Sequence, residues 1–315
     1  MPSSAVRTFT DPDDYAASLR ATSLELAITA SGRFSGAITR IDLHGLWMQR
    51  FSESLPQIGY SSVLPGRAVF SFWTRPGPDQ LWNGVETRPT SIVRHSEGER
   101  FYRRSSASSH RAAVSLPIEQ LASIASSMIA SDLTPPRDAM LITPLPAAMV
   151  RLQRLHAAAG HLAAEAPEII ANPDAARGLE QAMIQAMVNC LGNQTGRENT
   201  VAQGQHAIIM RRFRRILEEN PEQPLYIPEI CKAIRVPDRT LRQCCQEYLG
   251  MGPKRYLLLR RLHLARRALR HAQPNTMTVT ETATRFGFWQ LGRFAVEYQS
   301  VFGESPSATL RQLPG

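Results

Sequence analysis

The stretch Arg285–Phe294 reads RFGFWQLGRF, with four aromatics, two glycines and two arginines in ten residues. Surface helices carry fewer aromatics, and a core helix rarely holds two glycines, each of which costs about 0.5–1 kcal/mol relative to alanine. Just upstream, Thr278–Glu281 (TVTE) has the form of a capping box: the threonine oxygen caps free backbone N–H groups and the glutamate reaches back. Downstream, Ser305-Pro306 puts a cap-competent residue before a proline at the first helical position, and Gly252-Pro253 does the same earlier. The stretch therefore joins two helices through a tight turn at Gly287. Phe286, Phe288 and Phe294 are expected to form the small core that holds those helices at their crossing angle.

The same pattern occurs a second time. LGMGPKRYL (Leu249–Leu257) aligns with FGESPSATL (Phe302–Leu310) at an offset of 53, so that Gly250 falls on Gly303 and Pro253 on Pro306. Further upstream the offset becomes 52, with Cys231 on Ala283 and Val236 on Phe288, as one extra residue in the second turn requires. Each copy is a short helix, a turn and a second helix, over about residues 226–249 and 279–302. This is helix-turn-helix geometry twice over. The charge follows the repeat. Residues 1–205 carry 18 Arg against 18 Asp+Glu, whereas residues 206–315 carry 18 Lys+Arg against 9 Asp+Glu, so the whole net charge of +9 lies in the last third. General drift toward arginine would not leave the first two thirds neutral. A polyanionic partner is implied, either nucleic acid or an acidic membrane surface.

The run ATRFGFWQLGRFAVEYQSVFGESPSATLR resembles the C-terminal signature of the AraC/XylS family of bacterial transcription regulators: alanine, Gly-Phe, a helix with phenylalanine, a second aromatic, then F-G-x-S-P. The resemblance covers about residues 206–315. It implies an all-α DNA reader in which two helix-turn-helix units are joined by a rigid helix, here about Pro253 to His271. At 1.5 Å per residue that helix is nearly 30 Å long, close to the ~34 Å of one DNA turn, so both recognition helices can enter successive major grooves. The family usually adds an N-terminal regulatory domain, often cupin-like. The resemblance implies double-stranded DNA and RNA polymerase as partners, with a small-molecule effector and a second copy of the chain, held through the regulatory domain, as further candidates. It implies a cytoplasmic protein without a cofactor.

In the first recognition helix, Leu241, Cys245 and Tyr248 share a core stripe, which leaves Arg239, Arg242, Gln243 and Gln246 on the opposite face. Arginine donates twice to guanine and glutamine pairs with adenine, so the set suits the major groove, although each residue alone could be plain solvated surface. In the second helix Phe294, Tyr298 and Val301 form the stripe, and the equivalent outward positions are Gly292, Ala295, Val296 and Gln299. This helix is expected to read weakly: by methyl contact through Val296, by shape, or through Gln290 and Arg293. Lys254, Arg255 and Arg285 are phosphate candidates. Two departures from the family pattern stand in the first turn: Arg235 replaces a glycine, and Pro237 a capping serine, so Asp238 is expected to cap. Trp289 replaces a small polar residue in the second turn and is expected to pack over it, with contact to the DNA backbone as the alternative.

Upstream, residues 1–195 read as an α+β regulatory region: β-rich over 20–116, helical over 117–195, then a linker over 196–205. Short apolar runs (LELAITA, GAITRIDL, GLWMQRF, AVFSFWT, TSIVRH, RAAVSL), punctuated by Gly, Pro and Ser, suit an antiparallel sandwich or barrel. An αα-hairpin follows, whose stripe of Leu179, Met183, Ala186, Met187 and Cys190 packs on the β part or offers a dimer face. TPPRDAMLITPLP reads as an interruption between helices. Trp47, Phe70, Phe72, Trp73 and Trp82 either line a sensor pocket or form ordinary core. His44, His95 and His110 lack metal-ligand spacing, and Cys190, Cys231, Cys244 and Cys245 lack C-x-x-C spacing, so the cysteines read as reduced packing residues and no metal is expected. No apolar run of about 18 residues and no secretion signal is found. The alternatives are an enzyme, or an oligomerising sensor, fused to a DNA-targeting module. Repair methyltransferases with this kind of domain need a Pro-Cys-His-type nucleophile, which is missing here.

Overall fold

A computed structural model describes residues 1–75, 77, 80–128, 134–192, 194–199, 204–220, 223–272 and 277–311. In chain order it builds β1 (Ser3–Phe9), α1 (Pro12–Ala17), β2 (Thr22–Ile28), β3 (Gly36–Asp42), β4 (Trp47–Glu53), β5 (Gln57–Val63), β6 (Arg67–Trp73), β7 (Gln80–Trp82), β8 (Val85–Glu86), β9 (Ile92–Arg94), β10 (Arg100–Ser105) and β11 (Ser109–Pro117). Then come α2 (Ile118–Met128), β12 (Met140–Pro144), α3 (Pro146–Glu165), α4 (Pro167–Ala171), α5 (Pro173–Gly192) and β13 (Gln194–Asn199). The last third is helical: α6 (Gln205–Glu219), α7 (Ile227–Ile234), α8 (Asp238–Leu249), α9 (Pro253–Arg270), α10 (Val279–Arg285), α11 (Leu291–Phe302) and α12 (Pro306–Arg311).

The strands form two antiparallel sheets, one ordered β1-β3-β4-β11-β6-β9-β12-β13 and the other β2-β5-β10-β7-β8. Side chains alternate across each strand, so each sheet has two different faces. On the larger sheet, Ala112, Val114 and Leu116 of β11 and Phe70 of β6 turn outward into a core shared with α3 and α5. The stripe Met183, Ala186, Met187 and Cys190 is buried in that core, so the hairpin uses it on its own sheet rather than as a free dimer face. Two expectations change here. The stretch read as an interruption holds β12, which pairs with β9 and β13. Residues 196–199, expected in the linker, lie on β13; of that linker, 200–203 fall outside the described residues.

The helical third has two cores divided by α9. Tyr256 and Leu257, near its start, pack with α6, α7 and α8, and this cluster includes Ile58 and Tyr102 of the smaller sheet. Leu259, Leu262, Ala265 and Leu269 pack with Phe286, Phe288, Phe294, Tyr298 and Val301. The capping box at Thr278 forms in full: Glu281 N–H donates to Thr278 Oγ1 at 3.1 Å, and Thr278 N–H donates to Glu281 Oε2 at 2.7 Å.

Candidate nucleic-acid interface and the sheets behind it

Helices α8 and α11 are built alike. Each has 12 residues and ends on a glycine in the left-handed region, Gly250 at φ 67° and Gly303 at φ 73°. Leu241, Cys244, Cys245 and Tyr248 anchor the first; Phe294, Tyr298 and Val301 anchor the second, where Tyr298 Oη donates to Thr309 Oγ1 at 2.8 Å. Opposite the anchors, Arg239, Arg242, Gln243 and Gln246 are exposed on α8, and Gly292, Arg293, Val296 and Gln299 are exposed on α11. The turn before each helix needs a left-handed residue. Gly287 supplies it at φ 76° and Arg235 at φ 59°, where a side chain costs about 1–2 kcal/mol.

Two turn assignments are corrected. Asp238 is the first residue of α8 and not its cap; the cap is Pro237, with no side-chain hydrogen bond, and the Asp238 carboxylate accepts from Arg242 Nη2 at 2.7 Å. Trp289 does not pack over the second turn but is 73% exposed. The inward place belongs to Phe288, which stacks 4.7 Å from Phe294 and lies under the Arg261 guanidinium, so the next side chain must point out.

An open groove of about 1060 Å³ runs between the two units. Asp238 and Arg242 line it from α8, Lys254, Arg255 and Arg261 from α9, and Trp289, Gln290, Arg293 and Glu297 from the second unit. Five of the ten candidate residues thus meet in one place: Arg242, Lys254, Arg255, Gln290 and Arg293. Arg239, Gln243, Gln246, Val296 and Arg285 are exposed outside its lining, and the Arg285 guanidinium sits 5.6 Å from the Phe286 ring. Arg242 and Arg293 are each held by an (i, i+4) carboxylate, Arg293 Nε to Glu297 Oε1 at 3.0 Å. Exposed pairs of this kind contribute only about 0.3–0.5 kcal/mol, so a phosphate or a base edge can displace them.

Between the two sheets lies a second cavity. Phe51, Trp73, Trp82 and Phe101 line it together with Gln49, Ser71, His95, Arg103 and Arg111. Of the aromatics singled out in the sequence, Trp73, Trp82 and Phe72 reach it; Phe70 belongs to the helix-side core, and Trp47 carries the Arg67 guanidinium 3.7 Å above its ring. Glu53 is fully buried beside the cavity. It accepts from Tyr15 Oη at 2.7 Å, Arg103 Nη2 at 2.9 Å, Arg111 Nη2 at 2.6 Å and Ser109 Oγ. Burial alone would raise its pKa, but the two guanidiniums outweigh this and hold the carboxyl far below the ordinary range. His95 bridges Ser71 Oγ at 2.8 Å and Glu99 Oε2 at 2.9 Å.

The smaller sheet turns its other face to the helical third. On β10, Phe101 and Arg103 face the cavity, while Tyr102 stacks edge-on against Tyr248 of α8, ring centroids 6.5 Å apart. Arg104 lies over Gly250, the cap of that helix. Acidic residues near the N-terminus hold α9: Asp11 accepts from Arg266 Nη1 at 2.5 Å and also pairs with Arg270, Asp13 accepts from Arg267 Nη2 at 2.8 Å, and Asp14 from Arg270 Nη2 at 3.0 Å. Glu25 pairs with Arg214 of α6, and the Ile28 N–H donates to His263 Nε2 at 3.0 Å. Four of the basic residues behind the +9 are therefore engaged inside the molecule. Sequence periodicity could not reveal this, because the partners lie some 190 to 256 positions apart.

Burial keeps the thiols protonated, Cys190 pushed up to about 12 and Cys244 to about 11. Among the described residues no group of three or more His, Cys, Asp or Glu could hold a metal ion, and no helix is long and apolar enough to cross a membrane. Residues 230–312 match the helix-turn-helix domain family. The chain is 42% identical over 98 residues to a probable thc operon regulatory protein of Rhodococcus erythropolis, covering 31% of this chain and 30% of that protein. It is 36% identical over 101 residues to a XylDLEGF operon transcriptional activator of Pseudomonas putida, covering 32% of each. These matches span about a third of the length of the curated relatives. Among solved structures, the AraC-like transcriptional activator CuxR aligns over 83% of this chain and 95% of its own, at 15% identity and a TM-score of 0.43. Residues 230–312, with two helix-turn-helix units flanking one groove, therefore belong to the AraC/XylS family of DNA-binding domains.

Proposed function

We propose that the protein is a sequence-specific DNA-binding transcriptional regulator whose DNA affinity responds to a small molecule held between its two sheets. One observation carries the reading: the exposed faces of two matched recognition helices flank a single basic groove across α9. In this reading Arg239, Arg242, Gln243 and Gln246 read bases from α8, with Gln290, Arg293 and Val296 doing so from the second unit. Lys254, Arg255 and Arg285 hold phosphates. RNA polymerase and a second copy of the chain are its further partners. The similarity to operon regulators supports a regulator over an enzyme.

The test is selection of preferred duplexes from a random library with the full chain, followed by footprinting upstream of its own and neighbouring genes, with and without candidate metabolites. A preferred sequence with two half-sites about one helical turn apart is expected. Binding that follows salt concentration alone, with no sequence preference, would overturn the reading.

A further inference from the structure

We propose that the second recognition helix, α11, identifies its half-site by seating Val296 against thymine 5-methyl groups in the major groove, which rests on the reading of the helical third as a DNA reader. By the offset of 53, Val296 holds on α11 the place that Gln243 holds on α8, and both are exposed. Val296 is 69% exposed, and Trp289 and Leu291, earlier in the same unit, are 73% and 41% exposed. An apolar side chain of this size left in water forgoes the stabilisation of burial, which a polar residue at the same exposed place would not. The surrounding helix surface is cut low. A Cβ built on Gly292 meets no atom within 4 Å, and the next outward position is only alanine, Ala295. A groove wall can therefore approach the backbone closely at this point.

The major-groove edges of the bases carry donors and acceptors, and in unmodified DNA their one apolar group is the thymine methyl. Valine can neither donate nor accept, so the partner that matches it there is that methyl. Charge places the helix: Arg293 stands one turn before Val296, and Lys254 and Arg255 line the same groove as Arg293. The two units thus divide the chemistry: α8 presents arginine and glutamine to hydrogen-bonding edges, and α11 presents a methyl-reading face.

The experiment uses the full chain and a duplex selected from a random library. Arg242→Ala identifies the half-site under α8 as the one whose preference relaxes. In the other half-site each thymine is replaced singly by deoxyuridine, which keeps every hydrogen-bonding group and removes only the methyl. At least one replacement is expected to weaken wild-type binding about three- to tenfold, with less than about a twofold effect in Val296→Ala. Val296→Gln should lose the deoxyuridine sensitivity and select a different base at that position. Val296 is exposed, so both variants should melt with the parent, which separates contact from folding. If every deoxyuridine duplex binds like its parent while base-pair changes in the α8 half-site still weaken binding, the DNA reader stands and the methyl reading falls. If the library yields no preferred sequence, both fall.

Discussion

At the scale of single residues, Glu53 is a tightly constrained charge between the sheets. It is one carboxylate between two buried guanidiniums, and removing its charge strands both. Glu53→Gln is expected to lower unfolding free energy by about 3–5 kcal/mol, measurable by urea titration. If stability changes by less than about 1 kcal/mol, Arg103 and Arg111 have other partners. Gly287 is constrained by shape. An alanine there would adopt φ 76° and put its Cβ 2.7 Å from Pro224 Cβ. Gly287→Ala should therefore destabilise by at least the 1–2 kcal/mol of a left-handed side chain, seen as a lower melting temperature. Gly287 was legible because a turn between two apolar helices demands a left-handed residue. Glu53 was not, because a single glutamate in an alternating strand looks like an outward-facing charge until its partners on β10 and β11 are placed.

Among the elements, what could be read followed periodicity. Helices α8, α9 and α11 and the capped α10 came out of the sequence because their buried stripes recur every three to four residues and their ends carry proline or glycine signals. Strand β10, RFYRRS, escaped: three of its six residues are arginines, and their places show only in the fold, Arg100 with Glu218, Arg103 with the buried Glu53 and Arg104 beside the cap at Gly250. Likewise the sequence separated inward from outward residues on both recognition helices but sent Trp289 the wrong way, because two adjacent aromatics compete for one inward place. Two predictions belong to the helices. Arg242→Ala should weaken specific binding by about 1–3 kcal/mol and relax one base position, read by binding to base-substituted duplexes. Lys254→Ala should weaken all sequences alike and reduce the slope of log affinity against log salt by about one.

For the whole molecule, the sheets and the helical third are joined by charge and by a buried imidazole. Replacing Asp11, Asp13 and Asp14 together by asparagine strips Arg267 and Arg270 of these carboxylates and leaves Arg266 to Glu304. Amide exchange in the second half of α9 should then speed up about ten- to a hundredfold, while that of α3 stays as it was. Acid should act through the histidines first. Burial lowers the pKa of His263, and burial followed by the charge of Arg50 lowers that of His156 to about 3, so both are neutral in the fold. The unfolded chain takes up these protons near pH 6.5, so the stability they contribute is complete above that pH and is lost as pH falls below it. For His156 the loss is about 1.4 kcal/mol per pH unit down to its folded value. Between pH 6.5 and about 4.5, before carboxylates titrate, urea midpoints should fall, and His156→Gln should flatten that fall.

The two faces of the smaller sheet have a consequence for anyone who would test the proposed sensing by redesigning the cavity. Enlarging or polarising the cavity at Phe101 or Arg103 disturbs a strand whose next residues, Tyr102 and Arg104, bear on the recognition helix. Under the proposed function, a redesign made there would confound altered ligand choice with altered DNA choice. The same cavity can be reshaped from the opposite wall, at Trp73 or Ala113, where the strand's reverse side rests on α3 and α5. Under the proposed function, libraries confined to that wall would vary ligand choice while leaving the strand that touches α8 unchanged.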